Sequence, residues 1–375
     1  MPNEKENNFL ILRRNLLLFL ILPVFLAAVL GLTWWYVRSR AVASREDFRY
    51  LPANATIAAC LDLAGLRESS LVRRALRSQA PPQWEADYAE FVRETGFNLE
   101  RDLDVVSLAI SGPQGRRSVH AVLRGRFDRE RIRQYASRHR QATSSYRSRT
   151  IDTFVGPSGR VFRLVFLGRD RLGFSNAADA RAIEDMIRQA GESGRSLRER
   201  LEELHVFDHV PAGAQAWVAA DWERLGSVSV PAGLGSGGAF SAELLRGARL
   251  GLLGARVGDS DVEAHLAAEF ASAADAQKAA ETLSALRTLL KGLAARRGGA
   301  AGGELARALE GLSISVEANA AVIRWKIAGR VLEQLLSQSA AWSSGAAPPQ
   351  LGPSTRQLPH PAPFGQALEV LGVGH

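Results

Sequence analysis

Residues 51–66 read LPANATIAACLDLAGL, and residues 210–225 read VPAGAQAWVAADWERL. The two segments align without a gap. Pro52 matches Pro211, Ala53 matches Ala212, Ala55 matches Ala214, Asp62 matches Asp221 and Leu66 matches Leu225. A second block repeats in the same order: VHAVLRGRF at 119–127 aligns with VEAHLAAEF at 262–270. Two copies of one structural unit explain the recurrence, with copy one at 51–195 and copy two at 206–340.

Within each copy a Pro-Ala turn leads into a strand, near 56–63 in copy one. Asp62 and Asp221 then stand at helix N-cap positions. Helical spacing follows near 66–77 and around Trp84, Tyr88, Phe91 and Val92, with Gly96 as a stop. Next come two hairpins, 104–111 with 118–124 and 249–256 with 261–269, turning at Gly112-Pro113-Gln114-Gly115 and Gly258-Asp259. A helix follows each: Ile132, Tyr135, Ala136 and His139 share one face, and Leu283, Leu286, Leu290 and Leu293 share another. Copy one adds strands near 150–155, 161–167 and 171–175 and a helix from 177. Copy two adds strands near 312–317 and 320–328 and a helix near 330–338. Strand pairs joined by tight turns, with amphipathic helices between them, predict an α+β fold. The expectation is two tandem antiparallel-sheet domains with helices packed on one face.

Ahead of the repeats, Leu16–Val37 reads LLLFLILPVFLAAVLGLTWWYV and carries no charge. As a helix it is about 33 Å long, enough for a hydrocarbon core of about 30 Å. The sequence therefore predicts a transmembrane anchor at 16–37, after a cytoplasmic tail at 1–15 and before a linker at 38–50. That makes a single-pass cell-membrane protein with its body extracytoplasmic. Trp34, Trp35 and Tyr36 sit where a headgroup layer favours aromatic rings. A signal peptide cleaved after Ala41-Val42-Ala43 is the rival, but the apolar run exceeds a signal core of roughly 7–15 residues. Residues 343–375, rich in proline, glycine and serine, predict a disordered tail.

The anchor, the Leu-Pro-Ala-Asn-Ala-Thr segment at 51–56 and the repeated α+β units resemble a group of bacterial membrane-anchored proteins with extracytoplasmic domains. The resemblance implies fold and location. It supplies no catalytic residue to carry over.

The chain has 375 residues, 47 Lys and Arg, 39 Asp and Glu, and a net charge of +8. Only Lys5, Lys278, Lys291 and Lys326 are lysines; the rest of the basic charge is arginine, interleaved with acids as in Arg198-Glu199-Arg200. That pattern reads as solvated helix faces, and no nucleic-acid partner is expected. Cys60 is the only cysteine, so no intrachain disulfide forms, and it reads as a small buried hydrophobe.

No catalytic, cofactor-binding or metal-ligating residue is assigned, and no cofactor is expected. His205 and His209 have metal-like spacing around Asp208. Val206 stands where a zinc hydrolase would carry its glutamate, however, and Pro211 ends the helix. Gly233–Gly238 lacks the Lys-Ser or Lys-Thr of a phosphate loop, and Gly298–Gly303 reads as a hinge. His120 and His265 lie in the hairpin strands two positions apart in the alignment, which argues against a shared site. The expectation is a non-enzymatic protein that presents its two modules to a protein partner, as an accessory subunit of an envelope complex. A ligand-binding or hydrolytic module with a site between the repeats is the alternative.

Overall fold

Asp62 and Asp221 end strands that lie side by side. In the computed structural model, which describes residues 45–78, 86–112, 117–155, 159–189, 196–225, 247–297, 307 and 309–329, β1 (Ile57–Asp62) pairs antiparallel with β8 (Ala216–Asp221). Ala59 faces Val218, and these occupy the same place in the aligned repeats. Ile57 faces Ala220 and Leu61 faces Ala216, each pair being exchanged by the repeat. A local twofold axis therefore runs between Ala59 and Val218. The flanking backbone obeys it: the Asp62 amide donates to the Gln215 carbonyl at 2.6 Å, and the Asp221 amide to the Thr56 carbonyl at 2.9 Å.

From this pair the strands build outward in both directions. On one side stand β2 (Leu103–Ser111), β3 (Ser118–Gly125), β7 (Arg171–Ser175), β6 (Val161–Phe166), β5 (Arg149–Val155) and β4 (Ala142–Tyr146). On the other stand β9 (Ala248–Val257), β10 (Asp261–Phe270), β12 (Ala320–Ala328) and β11 (Leu312–Glu317). The described residues thus form one twelve-stranded antiparallel sheet. Two tandem sheets were expected. The difference arises because the first strand of each copy leaves one edge unpaired, and the two edges satisfy each other.

The helices among the described residues include α1 (Leu63–Glu68), α2 (Ser70–Ser78), α3 (Ala86–Thr95), α4 (Leu99–Asp102), α5 (Arg129–His139), α6 (Arg181–Gln189), α7 (Leu197–Glu203), α8 (Val206–His209), α9 (Trp222–Leu225) and α10 (Ala273–Arg297). They cover both faces of the sheet, not one. Alternate residues of β3 join different cores: Val122 packs with Phe48, Ile183, Leu197 and Phe207, while Ala121 and Leu123 pack with Phe91, Ile132 and Tyr135. A strand in the middle of a sheet buries both faces when each has its own helical layer. Near the twofold the first face is closed by three rings, with Phe48 and Phe207 lying 5.2 and 6.0 Å from Trp217.

Among the described residues, no helix is long and apolar enough to cross a membrane. The single-pass anchor, and the cell-membrane location that rested on it, are corrected on that finding. The segment 16–37 lies outside the described residues, as do the helix expected near 330–338, the tail 343–375 and both glycine-rich stretches. The edge strand β4 was absent from the sequence expectation: Ala142-Thr-Ser-Ser-Tyr146 offers too little apolar alternation to announce itself. The long helix expected at 66–77 is broken at Ser69 into α1 and α2. At Gly96 the chain leaves α3 with φ +69°, a conformation glycine adopts without strain.

Asp47 fastens the segment before β1 to the sheet. Its carboxylate is fully buried, 2.8 Å from Nε of Arg171 and 3.7 Å from Nη1 of Arg124. Those arginines face each other across β3 and β7. Burial pushes the Asp47 carboxyl above its ordinary range, while the two guanidinium groups pull it back. Removing one partner of such a buried set leaves charge uncompensated. Asp47→Ala is therefore expected to lower the unfolding free energy by about 3–5 kcal/mol. Urea denaturation checks this: the midpoint falls with little change in slope, and a loss below about 1 kcal/mol contradicts it.

Candidate functional site

The recurring aspartates are structural. The Asp62 side chain accepts from the Gly65 amide at 2.8 Å, and the Asp221 side chain accepts from the Arg224 amide at 3.2 Å. Gly65 and Arg224 are equivalent in the repeat, so both carboxylates cap the helix that follows their strand. Arg200 and Arg224 also pair with Asp221, at 3.3 and 3.5 Å. Cys60 is buried among Ala58, Val105 and Trp217, and burial pushes its thiol up to about 12, the opposite of what a nucleophile needs.

His205 and His209 flank a single helical turn. His205 has φ +51° and its Nδ1 lies 3.2 Å from Asp208, with both side chains largely exposed. Among the described residues, neither histidine belongs to a set of three metal-type side chains close enough to share an ion. One such set does occur: Glu90 and Glu94 on α3 with His139 on α5. It was invisible in the sequence because more than forty positions separate the two glutamates from His139, and only the packing of two helices joins them.

The strand ladders place His120 and His265 differently from the ungapped alignment. His120 faces Ala109, which faces Ala58; His265 faces Gly254, which faces Trp217. Ala58 and Trp217 are equivalent, so the two histidines are equivalent as well. The two-position offset read from the ungapped alignment is corrected. Both are buried, at 3% and 8% exposure. Their surroundings differ. His120 lies 3.1 Å from the Ser111 hydroxyl through Nε2 and 3.2 Å from that of Ser175 through Nδ1. The Nε2 of His265 has no hydrogen-bond partner. Pro211 lies against its neighbour Gly254, where an added Cβ would sit 2.7 Å from the proline ring.

Two further features lie on the surface of the described residues. Beside α5, the edge pair β4 and β5 forms an open depression of about 700 Å³, with Arg133, Gln134, Ser137, Thr143 and Ser145 among its walls. Arg140 and Asp152 neutralise each other there at 2.6 Å. The depression lies entirely within copy one, not between the repeats. The other feature is α10. Its alanines Ala276, Ala279 and Ala280 are buried against Ala268, Phe270 and Ala321. Farther along, Leu289, Leu290 and Leu293 are 60%, 36% and 49% exposed. The leucine face read from the sequence exists, but Leu290 and Leu293 do not point into the core.

No protein family matches the chain, and no curated protein does. Two solved structures of TP0453 are similar to it. Crystal form III is 13% identical, covering 78% of this chain and 98% of its own, with a TM-score of 0.43. Crystal form I is 12% identical, covering 78% and 96%, with a TM-score of 0.39. Likeness at that level assigns neither fold nor function here.

The buried histidines make stability depend on pH. Burial pushes His120 down to about 4 from 6.5, and His265 is lowered in the same direction. Between these values the unfolded chain binds a proton that the folded chain does not, so stability is lost as pH falls from 6.5 toward 4. His120 alone accounts for about 3 kcal/mol across that window. Urea unfolding at pH 7 and pH 4.5 reads the effect. His120→Gln is expected to shrink the difference between the two pH values, and an unchanged difference contradicts the assignment.

Proposed function

We propose that the chain is a non-enzymatic protein that binds a protein partner through the leucine face of α10. The exposure of Leu289, Leu290 and Leu293 carries this reading. Ala276, Ala279, Leu283, Leu286, Leu290 and Leu293 follow a three-four spacing along the helix. That is the pattern of a helix-packing seam. The sheet buries its alanine end, Leu283 and Leu286 are half-buried, and Leu289, Leu290 and Leu293 beyond them are exposed. Clustered exposed leucines are costly unless something covers them. An apolar helix of a partner, laid along the stripe, is the occupant the spacing fits.

The arginines support a protein partner over a nucleic acid. Arg140, Arg171, Arg249, Arg256 and Arg324 each pair with an acid at 3.0 Å or less. Their charge is spent within the fold. The depression beside α5 gives the alternative of a small-ligand module a foothold, but its open, charge-balanced walls favour no particular ligand.

The test is comparative. The double variant Leu290→Glu, Leu293→Glu changes exposed positions, so its unfolding free energy is expected to stay within about 0.5 kcal/mol of the parent. A partner cross-linked to the parent in its own cells is expected to disappear from the variant. An identical set of cross-linked proteins contradicts the reading. A dimer that the parent forms and the variant loses makes the occupant a second copy.

A further inference from the structure

We infer that Glu90, Glu94 and His139 form a binding site for a divalent first-row transition ion of the zinc type. The inference is independent of the partner-binding role of α10. It rests on how two helices bring hard and borderline donors together.

Glu90 and Glu94 are four residues apart on α3, so their carboxylates lie one turn apart on the same side of the helix. His139 is the last residue of α5. The two helices are locked in register by an aromatic contact: Phe91 of α3 meets Tyr135 of α5 edge-on at 5.2 Å, and Phe91 also meets Phe97 at 6.2 Å. Phe91 and Tyr135 are buried, so this spacing is set by the core and not by the surface side chains. One donor atom from each of the three residues lies within 4.8 Å of the others. Bonds of about 2.0–2.2 Å in a tetrahedral site separate donors by about 3.3 Å. Small rotamer adjustments close that gap without moving either helix.

Two contacts orient the donors. The His139 ring stacks on Tyr135 at 4.2 Å and 22°, which fixes its plane. Arg138 donates to Oε2 of Glu94, which leaves Oε1 for an ion. An outer partner of this kind holds a ligating carboxylate in place. The three side chains are half-buried. A hydrated ion can therefore reach them and keep water in its remaining position, as in sites with three protein ligands. The donor set selects the metal. An imidazole adds little for magnesium or calcium, which take oxygen ligands, whereas imidazole with carboxylate suits zinc and its neighbours.

The test uses the full chain, freed of metal by dialysis against a chelator and titrated with Co²⁺, whose visible absorption reports a bound site. One equivalent is expected to bind and to be displaced by Zn²⁺. His139→Ala and Glu90→Gln are each expected to weaken binding at least tenfold, while the His205→Ala, His209→Ala double variant binds as the parent does. X-ray absorption at the zinc edge of the loaded parent is expected to show one imidazole with oxygen donors, and this readout requires no variant to fold. Four results overturn the site: no cobalt spectrum, unchanged affinity in both single variants, loss of binding in the His205, His209 variant, or two imidazoles at the zinc edge.

Discussion

Each half of this chain has a first strand with a bare edge, and the way those edges meet governs the rest of the structure. An unpaired strand edge exposes a row of amides and carbonyls that must find partners. Here β1 and β8 pair about a local twofold between Ala59 and Val218, so one copy completes the other. One continuous sheet therefore joins the halves. Their shared boundary is a run of backbone hydrogen bonds in the middle of a sheet. The ring cluster of Phe48, Phe207 and Trp217 closes one face at this boundary, drawing on the segment before β1, on α8 and on β8.

From that common frame the copies diverge in what they lay on the sheet. Copy one extends to β4 and packs aromatic residues under α3 and α5, with Phe91, Phe97, Phe154, Phe162 and Phe174 in one core. Copy two packs alanines under α10. Alanine lets a helix lie close to a strand but removes little apolar area from water, since burial energy scales with area at about 25 cal/mol per Å². The bulk of the apolar surface of α10 sits in its leucines, and several of those face solvent. The two copies thus keep one strand plan while placing their hydrophobic surface differently, inward in the first and outward in the second.

Local chemistry made part of this legible in the sequence. A capping aspartate after a strand, a glycine after a helix and a proline-glycine turn act over a few residues, and Asp62, Asp221 and Gly96 do what their positions imply. The joining of the two sheets was not legible, because nothing in a strand's own residues states which edge will meet which. Side-chain patterning also failed to fix the equivalence of His120 and His265. A slip of one residue turns a strand's side chains to the opposite face, but a slip of two restores the same faces. The blocks 119–127 and 262–270 align well in a register two positions from the one the ladders adopt. The Glu90, Glu94 and His139 set was hidden for the same reason as the sheet: it is assembled by packing, not by spacing.

The two equivalent histidines show how a duplicated frame separates position from role. Both sit on the third strand of their half, at the same row of the sheet, in an environment that disfavours the charged ring. In copy one the strands on either side supply Ser111 and Ser175, and the neutral ring is satisfied at both nitrogens. In copy two the neighbouring strands supply Gly254 and Arg324, and Nε2 is left without a partner. A buried polar atom without a partner costs about 1–3 kcal/mol, so position alone does not preserve the benefit of the residue. The frame can be copied by duplicating the strand order. The hydrogen-bonding of each buried polar group depends on its neighbours in adjoining strands, and those neighbours have changed.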